Sequence, residues 1–98
     1  MTKSPDDAFA RYSLAMALRT TGRGEEAAAE FQELRARKPD YVPAYLMHGQ
    51  TLETLGRDAE AARVYEDGIA AATRANDMHA RNELGLALET VRARGTTR

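Results

Sequence analysis

Residues Tyr45 to Tyr65 read YLMHGQTLETLGRDAEAARVY. Apolar residues recur at helical spacing as far as Leu55, a tight turn follows at Gly56-Arg57-Asp58, and a second helix opens on acid and alanine. Shifted back by 34 positions, this part of the chain meets a copy of itself. Ala10 then stands over Ala44, Leu18 over Leu52, Thr20 over Thr54, Gly22 over Gly56 and Arg23 over Arg57. Glu26, Ala27, Ala28 and Phe31 likewise stand over Glu60, Ala61, Ala62 and Tyr65. One such unit cannot bury its apolar face alone, so a repeat of this period predicts stacked helix pairs more firmly than any single propensity.

The flanking segments fit the same alternation. A first helix is expected over about 5–21, with Ser4 as cap, Pro5 at the first helical position, Asp7 three residues after the cap and Gly22 at the exit. Its inward stripe is Ala10, Leu14, Ala17 and Leu18. Helix two, over about 24–37, carries Glu25 and Glu26 in its first turn and Arg35, Arg37 and Lys38 at its end, an order that complements the helix dipole. Ala27, Phe31 and Leu34 form its stripe, and Pro39 ends it. Helix three begins near Asp40 or Tyr41 and stops at Gly56, with Ala44, Tyr45, Leu52 and Leu55 inward. Helix four spans about 58–74, with contacts at Ala61, Val64, Tyr65, Gly68 and Ile69. Asn76-Asp77 caps a fifth helix over about 78–93, with Leu84, Leu88 and Val91 inward, and residues 95–98 read as a frayed tail. No period-two run of β-branched residues appears, so the fold class is all-α.

Composition narrows the function. With 98 residues the chain makes one domain, and 43% hydrophobic with 30% charged residues is the balance of a folded rather than a disordered chain. A net charge of −1 supplies no basic face for nucleic acid or an anionic membrane. The absence of cysteine excludes disulfides and thiolate metal sites. The opening MTKSPDDAFA has no signal-like apolar stretch and no run has membrane-spanning length, so a cytoplasmic chain is expected.

The repeated positions resemble the tetratricopeptide repeat, a helix–turn–helix unit of 34 residues. The first unit, about 8–41, matches at Leu14-Ala15, Leu18, Ala27, Phe31 and Pro39, with Arg11 where a large aromatic would stand. The second, about 42–75, matches at Tyr45, Gly49, Leu52, Ala61 and Tyr65, with His48 in a leucine position and no closing proline. A capping helix, about 77–93, restarts the pattern at Leu84-Gly85 and Leu88, Gly85 following Gly49 by 36 residues rather than 34. The resemblance implies a right-handed stack of antiparallel helix pairs. Small residues at Ala15, Ala27, Gly49, Ala61 and Gly85 let backbones approach, and Leu18, Phe31, Leu52 and Tyr65 fill the layers between them. Arg81, Arg92 and Arg94 suit the outer face of a cap that closes the array.

Members of this family typically bind peptide segments in a concave groove lined by the first helix of each unit. Its offsets fall here on Phe9, Tyr12, Met16 and Arg19, then Leu46, Gln50 and Glu53, then Asn82, Leu86 and Glu89. Phe9, Tyr12 and Met16 form a stripe offset from that of Leu14 and Leu18. The expectation is a non-catalytic adaptor holding a peptide or amphipathic helix of another protein. The alternative is a structural module whose apolar surface makes a homodimer. A carboxylate clamp of the kind known in the family is excluded, because two of its offsets carry Tyr12 and Met16. His48 and His79 have no ligand-spaced partners. The pairs Asp6-Asp7 and Glu25-Glu26 sit in first helical turns, where dipole reasons suffice. Gly22-Arg23-Gly24 is too short for a phosphate loop, and no nucleophile stands beside a base. No cofactor or metal is expected.

Overall fold

A computed structural model describes residues 7–96. Five helices follow in order: α1 Ala8–Thr20, α2 Gly24–Arg37, α3 Pro43–Thr54, α4 Asp58–Arg74 and α5 Met78–Thr96. The expected Ser4 cap and Pro5 lie outside the described residues. Asp7, assigned from sequence to the first turn, is itself the cap: its backbone is extended and its carboxylate accepts the Ala10 N–H at 3.2 Å. α3 begins at Pro43, later than expected, and ends at Thr54.

Three helix exits repeat one device. Gly22 and Gly56 take φ of 81° and 79°, and Asn76 takes 56°. After each, a backbone N–H reaches back five residues: Arg23 to Leu18, Arg57 to Leu52, and Asp77 to Ala72, all at 2.8–2.9 Å. Asn76 replaces glycine because its short polar side chain tolerates the left-handed region. Asp77 then caps α5 by accepting the Ala80 N–H at 3.0 Å.

α5 does not fray at Gly95 but runs through it to Thr96. Arg92 bonds Glu66 of α4, and Arg94 bonds Glu53 of α3 at 2.7 Å and Asp58 of α4 at 3.2 Å. These two arginines therefore stay exposed while reaching back to acids on the stack.

Sequential helices pack as neighbours, and α1 with α3 and α3 with α5 also come close, whereas the backbones of α2 and α4 stay apart. The stack therefore closes on the side of α1, α3 and α5 and spreads on the side of α2 and α4. Two apolar clusters fill it. One joins Ala15, Ala27, Phe31, Leu34 and Ala44; the other runs from Tyr45 and Leu52 through Val64 and Tyr65 to Leu84, Leu88 and Val91. α3 contributes to both.

The α1 stripe differs from expectation. Ala15 is its one buried residue, Leu14 is 49% exposed and Ala17 is exposed. Leu14 occupies the position of His48 in α3, and His48 is buried because α2 covers it. Among the described residues no helix precedes α1 to cover Leu14 in the same way.

Candidate functional site

The face of α1, α3 and α5 carries the side chains that family offsets pick out, and the structure divides them into three sets. Tyr12 and Leu46 meet in a depression of about 230 Å³ whose far wall is α5, with His79, Glu83 and Leu84. Both also serve the core. Tyr12 packs edge-on to Phe31 at 6.1 Å and against Tyr41 at 5.5 Å, and Met16 joins the same cluster. The stripe expected to stand apart from the core is thus half inside it, and burial raises the Tyr12 pKa. Phe9, on the same stripe one turn earlier, is 66% exposed.

In the second set, Arg19 donates to Gln50 at 3.3 Å, bridging α1 and α3. One turn further, Glu53 accepts from the Tyr65 hydroxyl and from Arg94. Glu53 is therefore committed inside the fold. Burial, with Glu53 alongside, raises the Tyr65 pKa. The third set, Asn82, Leu86 and Glu89, lies with Gly85 and Ile69 around a separate depression of about 430 Å³ on the open side of α5. Leu86 is 66% exposed there.

The opposite face holds a feature that repeat offsets do not mark. Where α2 and α4 spread apart, α3 forms the floor of a cleft of about 570 Å³ lined by Tyr45, His48, Arg35, Arg63, Asp67 and Arg74, among others. Arg35 lies 4.9 Å from the Tyr45 ring centroid, donates to Asp67 at 2.8 Å and to His48 Nδ1 at 3.2 Å. A guanidinium only donates, so Nδ1 is the acceptor and His48 is neutral, with its proton on Nε2. The signal available in sequence was His48 itself, a polar residue in a leucine position of the repeat.

Burial first, and then the Arg35 charge, depress the His48 pKa from 6.5 to about 4. The unfolded chain therefore binds more protons than the folded one between these values. Stability is complete above about pH 6.5 and falls as the pH drops toward 4. The linkage gives a loss of about 2 kcal/mol at pH 5. Urea denaturation from pH 7 to 5 is expected to show this slope, and His48→Gln, which keeps an acceptor for Arg35, to remove most of it. An equal slope in the variant would assign the effect elsewhere.

Among the described residues no cluster of histidine, cysteine and carboxylates could hold a metal, and no helix is long and apolar enough to cross a membrane. Paired helices in a two-layer stack with three equivalent exits define an α-helical repeat protein. A solution NMR structure of a tetratricopeptide repeat domain protein from Salinibacter ruber superposes with a TM-score of 0.85 at 32% identity, over 91% of this chain and 90% of that one. A crystal structure of such a protein from the same organism gives 0.83 at 32% identity, over 89% and 97%. The chain belongs to the tetratricopeptide repeat family. A protein from Bordetella parapertussis shares the fold, with a TM-score of 0.84 at 23% identity over 96% of this chain and 82% of that one. No family model and no curated protein matches the sequence.

Proposed function

We propose that this chain is a protein-interaction module without catalytic activity, which holds a peptide or amphipathic helix of another protein against the face of α1, α3 and α5. The observation that carries the reading is Phe9. A phenyl ring 66% exposed, one turn from the Tyr12–Leu46 depression, extends its apolar surface with a side chain that the core does not use. Arg19 and Gln50 continue that surface as polar groups able to fix the orientation of a bound segment.

A random-peptide display library panned on the intact protein tests this. Enriched peptides are expected to lose about tenfold in affinity for Phe9→Asp, whose melting temperature stays unchanged because the ring is outside the core. Equal affinity for the variant, or no enrichment, overturns the reading.

Self-association is the second reading, favoured by Leu14 on the uncovered side of α1. Light scattering over a wide concentration range tests it: a dimer that Leu14→Glu converts to monomer supports it, and a monomer throughout rejects it.

A further inference from the structure

The first helix of each unit carries a small residue one turn before a groove-facing side chain, alanine on α1 and glycine on α3 and α5. On α1 the pair is Ala15 and Arg19, and Phe31 of α2, the repeat equivalent of Tyr65, lies in the same buried cluster as Ala15. On α3 the pair is Gly49 and Glu53, and the covering residue is Tyr65 of α4. A Cβ on Gly49 would stand 2.5 Å from Tyr65 Cζ, so the ring lies directly on the glycine. The Tyr65 hydroxyl donates to Glu53. The aromatic without a hydroxyl thus goes with arginine, and the one with a hydroxyl goes with glutamate.

On α5 the pair is Gly85 and Glu89, spaced as Gly49 and Glu53 are. Nothing lies within 4 Å of the Gly85 Cβ position. Glu89 is exposed, and no hydrogen bond or ion pair engages it among the described residues. The rest of α5 keeps its repeat role, with Leu84 and Leu88 buried as His48 and Leu52 are. The depression of about 430 Å³ beside Gly85 adds apolar walls from Ile69 and Leu86.

We infer that α5 presents an unfilled tyrosine socket, with Gly85 as its floor and the Glu89 carboxylate as hydroxyl acceptor, which takes an amphipathic helix of a partner protein carrying tyrosine. The occupant's chemistry follows from the interface this chain already makes. On α4 the buried positions within a turn of Tyr65 are Ala61, Val64 and Gly68, so the partner helix has a small residue four before its tyrosine and another three after it. At Gly68 an added Cβ would stand 2.6 Å from Tyr45 Cβ, so the small residue after the tyrosine is what lets the helices approach. A second copy supplies no such helix, since Tyr65 is fully buried and Tyr12, Tyr41 and Tyr45 pack in the clusters. The socket is independent of the Phe9 surface, so either can fail alone.

The probe is a labelled synthetic peptide with the α4 sequence, DAEAARVYEDGIAAATR, titrated with the intact protein and followed by fluorescence anisotropy. Binding is expected, unchanged by Phe9→Asp and lost by more than tenfold in Gly85→Leu, which fills the socket where no atom stands in the way. A peptide with phenylalanine in place of tyrosine is expected to bind about tenfold more weakly to the intact protein and equally well to Glu89→Ala, because the hydroxyl–carboxylate bond is then absent in both. No binding at millimolar protein overturns the inference. Binding that Gly85→Leu leaves intact overturns it too, since the peptide would then be exchanging with α4 on α3. A tyrosine preference that survives Glu89→Ala removes the acceptor. A dimer of the intact protein that Gly85→Leu makes monomeric replaces the partner helix by a second copy.

Discussion

Gly49→Ala is expected to destabilise the fold by about 3 kcal/mol, while Gly85→Ala, the same change at the equivalent position of α5, stabilises it by about 0.5–1 kcal/mol. On helix propensity alone both would help equally, because neither glycine has a positive φ. The difference is the neighbour. The Cβ added at Gly49 meets three ring atoms of Tyr65, which is fully buried and has no room to retreat. Displacing the ring also separates its hydroxyl from Glu53, leaving a charged acceptor partly desolvated. At Gly85 the added methyl meets nothing. Thermal melts are the check: a drop of roughly 15 °C for the first variant and a small rise for the second. Equal shifts would mean that α5 does not stand in the register of α3.

Phe31→Ala is expected to cost about 4 kcal/mol, a large part of the roughly 5–15 kcal/mol that holds a domain of this size. Phe31 is fully buried, edge-on to Tyr12 and stacked on His48 with ring centroids 6.1 Å apart in each case. Ala15, the one buried residue of α1, belongs to the same small cluster, so removing the ring takes away the surface on which α1 rests. Native-state amide exchange should show α1 unprotected while α3 and α4 remain slow. Leu14→Ala serves as the contrast, with an expected cost under about 0.5 kcal/mol, because its side chain is half in water. Similar costs for the two would contradict the placement of α1.

Leu14 also shows how far the sequence could be read. The 34-residue period located the helices, and the bounds of α2 and α4 and the Asp77 cap follow it closely. Periodicity identifies which face of a helix is apolar, but not whether a neighbour is there to cover it. At His48 α2 is that neighbour, and at Leu14 there is none among the described residues. Hence a leucine stands in water and a histidine in the core. The run of α5 through Gly95 was illegible for another reason. It depends on Arg92 and Arg94 reaching acids on α3 and α4, and sequence spacing does not announce ion pairs between helices. Repeat offsets put Glu53 among the groove residues, and its bonds to Tyr65 and Arg94 appear only in three dimensions.

The separation of the α2 and α4 backbones has a mechanical meaning. On the side of α1, α3 and α5, helix rests on helix, and close-packed side chains resist both compression and stretch. On the far side the span is bridged by long side chains: Arg35 with Asp67 across the cleft, Arg57 with Glu25, and Arg74 with Asp40. Such pairs, each with at least one exposed partner, are weak springs that salt softens. The stack is thus a leaf hinged along one edge, stiff where it closes and compliant where it opens. Widening the cleft lengthens those bridges first, while Ala28 ties α2 into the buried cluster that α3 and α4 share.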